Sequence, residues 1–265
     1  MSKVRFYIAM AAAKTAHRLL RLCGRAATHT PGAVATKLCP DFLRYLQKPE
    51  TLICVTGTDG KTTVSNLLAT VLQNNGYTVT NNSYGSNICE GVVSALLTDA
   101  TFSGKPKKQV GVLEVDERSS LKVYKYLTPD ILICNNIMRD SLKRNAHTEF
   151  ICYILNKQLP SSTKVVLNAD DLICSGLFPN NKDRTYFGVS ADRPENGAAT
   201  DEALRDIVYC PKCGAKLETE YVRYNHIGRH HCPACGFASP KPDYDVTEIN
   251  REKGTFTVTH NGVDE

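Results

Sequence analysis

Thr51–Thr63 reads TLICVTGTDGKTT, a short apolar run leading directly into a glycine loop that closes on Lys-Thr-Thr. Leu52, Ile53, Cys54 and Val55 have the composition of a parallel strand covered on both faces. Gly57 and Gly60 lack a Cβ, so the chain can turn tightly and bring its backbone close to an anion. Lys61 then offers a point charge for β- and γ-phosphates, and the Thr62 hydroxyl is placed to hold Mg²⁺. Val64, Leu67, Leu68, Val71 and Leu72 recur at helical spacing after the loop, and Gly76 stands where a helix C-terminus is expected. The helix start therefore directs free N–H groups and partial positive charge at the same place. The spacing is compressed relative to G-x-x-x-x-G-K-[ST], which needs glycine at Val55. Phosphate binding is the reading the ordered set supports; a chance glycine turn between strand and helix is the alternative.

Apolar runs continue at βα spacing. Strands are expected at 77–80, 109–115, 130–135, 164–167 and 185–187, with helices at 91–97 and 149–158. This alternation predicts an α/β fold on a parallel, doubly wound sheet whose ligands sit beyond the carboxyl ends of the strands. Residues 190–206 read as a linker, and 244–262 as an antiparallel pair joined at Lys253-Gly254. Hydrophobic residues at 42% and charged residues at 22% are ordinary for a soluble globular chain. The net charge of +5 favours anions such as nucleotides and is too weak to argue for nucleic acid. In the first thirty residues, 6–13 (FYIAMAAA) imitate a signal-peptide h-region weakly, leaving secretion as a minor alternative, but the pattern continues as a basic amphipathic helix. A helix packed on the domain and weak attraction to an anionic membrane surface are its two readings.

Eleven cysteines include single ones inside apolar runs (Cys54, Cys134, Cys152, Cys174), as expected of buried thiols in a reducing cytoplasm. Four others form Cys210-Pro-Lys-Cys213 and Cys232-Pro-Ala-Cys235, each pair followed by glycine. Two such knuckles supply the sulfur ligands of a closed tetrahedral Zn²⁺ site, a zinc ribbon. His226, His230 and His231 between them are read as surface or outer residues rather than ligands. With Arg223, Arg229, Tyr221 and Tyr224 they could make a small nucleic-acid face, for which a solvated face is the alternative.

The strand tips carry the remaining polar candidates. Glu114, in GVLEVDE, is placed to complete the Mg²⁺ coordination that Thr62 begins, against the alternative of a solvated acidic turn. Asn168 and Asp170, in LNADD, could read adenine and ribose, although such clusters also form turns. Asn87 lies in the polar loop that follows the second strand.

TGTDGKTT, GSNI, LEVDE, NNIMRD, LNADD and YFG, in this order, resemble the central ATPase domain of the Mur ligases. The insertion CPKCG…YNHIGRHHCPACGF after YFG looks like the branch of that family that amidates lipid II, the MurT-like synthetase subunits. The resemblance implies a P-loop parallel sheet with an inserted four-cysteine zinc ribbon. It implies an N-terminal basic helical segment at 1–49, an ATP-binding central domain at 50–204, the ribbon at 205–243 and return strands at 244–265, with a third domain lacking. ATP would be held by Gly57, Thr58, Asp59, Gly60, Lys61, Thr62, Thr63 and Asn87, with Asn168 and Asp170 at the adenine. Lys61 and Glu114 are the implied catalytic pair, Thr62 and Glu114 the Mg²⁺ ligands, and Cys210, Cys213, Cys232 and Cys235 the Zn²⁺ ligands. The implied reaction activates the D-glutamate α-carboxylate of lipid II as an acyl phosphate, in peptidoglycan synthesis at the cytoplasmic face of the membrane. Ammonia from a GatD-like glutaminase partner then forms the amide.

Three departures accompany the resemblance. Asp140-Ser141 stands where the family carries Asp-His or Asp-Gln, Lys143 and Asn145 replace an acid and an aromatic, and the chain stops at Glu265. On this reading the chain resembles a fragment that binds ATP without completing amidation alone. Another Mur-type or folylpolyglutamate-synthase-like ligase, and a zinc-ribbon nucleic-acid-binding ATPase, are the alternative functions.

Overall fold

The computed structural model describes residues 3–82, 86–139, 147–191 and 206–264. Ser83, Gly85, Asp140, Ser141, Lys143, Asn145 and most of the expected linker lie outside them. The chain forms two units, Met1–Ile133 with Lys157–Thr163, and Cys134–Asn156 with Lys164–Glu265.

The first unit contains α1 (Lys3–Leu22), α2 (Thr30–Leu38), β1 (Thr51–Thr56), α3 (Lys61–Asn74), β2 (Val79–Asn81), α4 (Cys89–Thr98), β3 (Val110–Glu114), the short α5 (Ser120–Val123) and β4 (Ile131–Cys134). Its strands run in the order β4-β1-β3-β2. β3 is parallel to both neighbours, with Thr51 opposite Val110 and Val55 opposite Glu114. This register places the loop after β1 beside the carboxyl end of β3, as the sequence required. Ile53, Val79, Val110 and Val112 form the core under α3, joined by Ala69, Leu68 and Leu72.

One expectation fails on α3. Of the stripe read from the sequence, Leu67 and Val71 are exposed, whereas Ser65 and Ala69 are buried. The buried face is rotated toward these small side chains, which allow the helix to lie close to the sheet; apolar periodicity registers size poorly. α1 packs through Phe6, Ala9, Met10 and Ala13. Phe6 stacks near Phe42, with ring centroids 4.9 Å apart. Among the described residues no helix is long and apolar enough to cross a membrane.

The second unit contains α6 (Thr148–Gln158), β5 (Lys164–Asn168), α7 (Leu172–Ser175), β6 (Arg184–Val189), β7 (Glu218–Tyr224), β8 (Ile227–His231), β9 (Tyr244–Asn250), β10 (Thr255–His260) and β11 (Val263–Asp264). β5, β6 and β9 are parallel neighbours, and β9, β10 and β11 continue as an antiparallel meander. The expected strand pair at the chain's end is thus present, with a third short strand added. β7 and β8 form a separate antiparallel hairpin between the two cysteine knuckles. Cys134 and Cys174 are buried, and burial pushes the thiols of Cys54 in the first unit and Cys152 in the second up to about 12. These are packing groups rather than nucleophiles.

Candidate functional site

Gly57 and Gly60 take φ of 124° and 76°, and Gly60 precedes the first residue of α3. A side chain would be strained at both positions. Gly60 offers no side-chain cap, and the first intrahelical bond runs from Val64 N to Gly60 O at 3.0 Å. The N–H groups of Lys61, Thr62 and Thr63 come before that bond, an arrangement suited to an anion.

Lys61 Nζ donates to the carbonyls of Gly57 and Thr58 and lies 3.3 Å from Glu117 Oε1. The lysine is thus folded back over its own loop and held by a carboxylate. Glu117 is buried, and that burial raises its carboxyl above the ordinary range while Lys61 opposes the rise. Glu117, three residues beyond Glu114, is not among the site residues expected from the sequence. Only the turn after β3 brings it to Lys61.

Thr62 Oγ1 donates to Glu114 Oε2 at 2.7 Å, and Asn87 Nδ2 donates to Glu114 Oε1 at 3.1 Å. Asn82 fixes the same residue by its backbone, accepting from Glu114 N at 2.8 Å and donating to Glu114 O at 2.9 Å. Thr62, Asn87 and Glu114 are therefore brought together, and Asn82 is a supporting residue that carries no local signal of this role. A hydroxyl and a carboxylate in contact form an all-oxygen donor pair suited to a hard cation such as Mg²⁺. Thr56 Oγ1, at the start of the loop, is buried without a hydrogen-bond partner among the described residues. Thr58 is half-buried, and Asp59 and Thr63 are exposed on the loop.

Asn168 and Asp170 lie in the second unit and bond within it. Asn168 Nδ2 donates to Asn135 O at 2.9 Å, and its Oδ1 accepts from Asp170 N at 2.9 Å. Asp170 Oδ2 accepts from Val189 N at 2.8 Å, and its carboxyl is raised by burial despite the Val189 N–H and the Arg229 charge.

The four ribbon cysteines converge, with all sulfur atoms within 4.8 Å of one another. Cys210 Sγ is 3.6 Å from Cys235 Sγ, and Cys213 Sγ is 3.5 Å from Cys232 Sγ. Tetrahedral thiolates at about 2.3 Å from zinc stand about 3.8 Å apart, so the donor set fits Zn²⁺. The knuckles repeat one pattern: Gly214 N bonds to Cys210 O and Gly236 N to Cys232 O, with φ of 75° and 71° at the two glycines. Leu172 packs with Cys210, Leu217 and Cys232.

The surface reading fails for two of the histidines, since His226 and His230 are buried, and among the described residues no histidine joins the four-sulfur cluster. His226 Nε2 is 3.1 Å from Asp171 Oδ1, and its Nδ1 is 3.6 Å from Asp206 Oδ2. Asp171 also accepts the N–H groups of Ile173, Cys174 and Ile137, capping α7 and pinning the segment after β4. Asp206 in turn accepts Arg139 N at 2.7 Å. Of the residues considered for a surface face, Tyr224 is exposed and His231 partly so, whereas Tyr221, His226 and His230 are buried. Arg223 donates to the carbonyls of Val189 and Ala191, and Arg229 to Pro240 O, with Asp170 beside it.

These features define an α/β fold whose parallel strands carry a phosphate-type loop between strand and helix. The chain belongs to the Mur ligase family, since the profile of the Mur ligase middle domain matches residues 55–230. It is 32% identical over 249 residues to the MurT subunit of the glutamine-hydrolyzing lipid II isoglutaminyl synthase of Staphylococcus aureus (strain COL), covering 93% of this chain and 55% of that protein. The subunit of the same description from Streptococcus pneumoniae (strain ATCC BAA-255 / R6) is 30% identical over 258 residues, covering 95% and 56%. The chain thus spans about half the length of the curated relatives it matches. A solved structure of a pseudomurein peptide ligase type C from Methanothermus fervidus superimposes with a TM-score of 0.63 at 25% identity, covering 85% of this chain and 43% of that one.

Proposed function

We propose that this chain is the ATP-binding part of an amide-forming ligase of peptidoglycan synthesis, acting at the cytoplasmic face of the membrane. The observation that carries the reading is the contact of Thr62 with Glu114 beside Lys61, at the end of a glycine loop. The names of the relatives point to lipid II as the substrate and glutamine as the nitrogen source. The reacting group on this reading is the α-carboxylate of D-glutamate, with ammonia from a GatD-like glutaminase partner.

In this reading Lys61 leaves the Gly57 and Thr58 carbonyls for the β- and γ-phosphates, while the N–H groups at the start of α3 hold phosphate oxygens. Thr62 and Glu114 would hold Mg²⁺, which neutralises phosphate charge during transfer. Asn87 aims the Glu114 carboxylate, and Asn82 fixes the Glu114 backbone that carries it. The carboxylate oxygen of the substrate takes the γ-phosphoryl group and ADP leaves. Ammonia then adds to the acyl carbon, phosphate departs, and a proton is lost to give the amide. Cys210, Cys213, Cys232 and Cys235 would hold Zn²⁺ in a closed shell that supplies folding energy to the hairpin. The adenine role of Asn168 and Asp170 rests on the LNADD resemblance.

Calorimetry with ATP tests the site. Glu114→Ala is expected to lose more affinity with Mg²⁺ present than without it, and equal losses would remove Glu114 from the metal. Glutamine-dependent amidation of lipid II, read as a mass loss of roughly one dalton on exchanging OH for NH₂, a replacement that leaves the rest of the acyl-transfer product unchanged, tests the substrate. Addition of an amino acid instead of ammonia would favour the amino-acid-ligase alternative.

A further inference from the structure

α1 has two apolar faces, and the fold uses one. Phe6, Ala9, Met10 and Ala13 are buried. On the opposite side Val4, Ile8, Ala11, Thr15, Leu19 and Leu22 recur at i, i+4, i+7, i+11, i+15 and i+18, all exposed. Val4 is 65% exposed, Ile8 58%, Leu19 57% and Leu22 83%. A stripe of this size on a helix about 30 Å long needs an explanation beyond isolated surface leucines.

Charge supplies it. Residues 1–40 hold seven Lys and Arg and no Asp or Glu, so the remaining 225 residues carry 25 basic against 27 acidic side chains. The whole positive excess of the protein is therefore gathered on this segment. Lys3, Arg18, Arg21 and Arg25 are exposed. Lys14 is otherwise engaged, donating to Leu97 O at 2.7 Å and Ala100 O at 2.8 Å. Its Nζ stands 5.8 Å from the ring of Phe102, so the segment carrying exposed Phe102, Lys105 and Lys107 lies alongside the helix.

We infer that this face of α1 lies on an anionic lipid surface, with the Val4–Leu22 stripe in the headgroup boundary and the arginines and lysines at the phosphates. A stripe flanked by cations with no acid matches a uniformly negative surface, whereas a protein partner's rim carries both signs. Two copies paired through the stripe would set these cations against each other. The inference does not rest on the ligase reading, although a lipid-anchored substrate would be met at the same surface.

Co-sedimentation with vesicles of phosphatidylcholine containing about 30% phosphatidylglycerol tests it, beside vesicles of phosphatidylcholine alone. Binding is expected to the anionic vesicles only and to weaken as salt is raised. Arg18→Ala with Arg21→Ala should weaken it about fivefold per charge removed. Leu19→Ser with Leu22→Ser should weaken it about tenfold, with an unchanged circular dichroism spectrum and melting temperature. Absence of vesicle binding, or equal binding to neutral vesicles, overturns the inference. A dimer in light scattering that the Leu19→Ser, Leu22→Ser variant dissociates, without vesicle binding, assigns the face to a second copy instead. ATP binding is measured separately, so either reading can fail alone.

Discussion

The phosphate-type loop and the ribbon hairpin both concentrate basic side chains, and they use them in opposite ways. Lys61 is held by two carbonyls of its own loop and by Glu117, partners it can leave when a stronger anion arrives. Arg223 and Arg229 are spent on carbonyls and a carboxylate within the second unit, and His226 is enclosed between Asp171 and Asp206. A cation serves binding when its present partner is exchangeable, and serves architecture when its partners are buried and have no alternative. The basic residues of the hairpin therefore fasten the second unit internally, whereas the lysine of the loop stands on exchangeable partners.

The largest expected effect would break the ribbon alone. Cys213→Ser should abolish the zinc content, otherwise close to one ion per chain by elemental analysis, and unfold the hairpin, since structural zinc contributes on the order of 10 kcal/mol in isolated fingers. The phosphate-type loop of the first unit should stay folded, whereas Asp170, held by Arg229 and Gly228 of the hairpin, loses those partners. Absence of zinc in protein purified without chelator would contradict the site.

Next in size, Asp171→Ala leaves His226 buried beside a lost carboxylate and uncaps α7. The N–H groups of Ile173, Cys174 and Ile137 lose their acceptor, and a destabilisation of about 1–3 kcal/mol for each one left buried is expected in denaturant unfolding. Asp171→Asn, which keeps an acceptor for the N–H groups, should lose less. Equal small losses in both variants would mean that the buried cluster is not a fastening.

Lys61→Ala should weaken ATP binding about 10- to 100-fold, the range for a lost charge-assisted hydrogen bond of about 1.5–3 kcal/mol. Unchanged affinity would place Lys61 with the architectural cations and erase the contrast.

The smallest effect concerns Glu117. Its folded-state carboxyl is raised above the ordinary 4.5, chiefly by burial. Such a group gives its full stabilisation below the unfolded pKa and loses it as pH rises through the folded pKa. Glu117→Gln should therefore melt slightly higher than the wild type near pH 7, and the gap should close as pH falls below about 4.5. A gap that widens on acidification would show that Lys61 outweighs burial.

The chain's local sequence encodes most where the site is built from consecutive residues. TGTDGKTT defined its loop because glycine conformation, lysine charge and helix start are local properties, and the paired knuckles defined a four-sulfur set because each knuckle is a local turn. The strands on either side of β1 and the Glu114 position also followed from apolar runs and their polar tips. Periodicity misplaced the buried face of α3 because helix–sheet distance is set by Ser65 and Ala69, whose small size carries little hydrophobic signal.

The sequence by itself determined a phosphate-type loop on a parallel sheet, a cysteine quartet, and the family to which both point. Tertiary structure alone decided that Glu117 holds Lys61, that Asn82 and Asn87 steady Glu114, that His226 sits between two aspartates, and that α1 buries one apolar face while exposing another. The physical reason is separation along the chain. Asn87 and Glu114, or Asp171 and His226, meet only when distant segments pack, and no local propensity of either residue encodes which partner burial will supply.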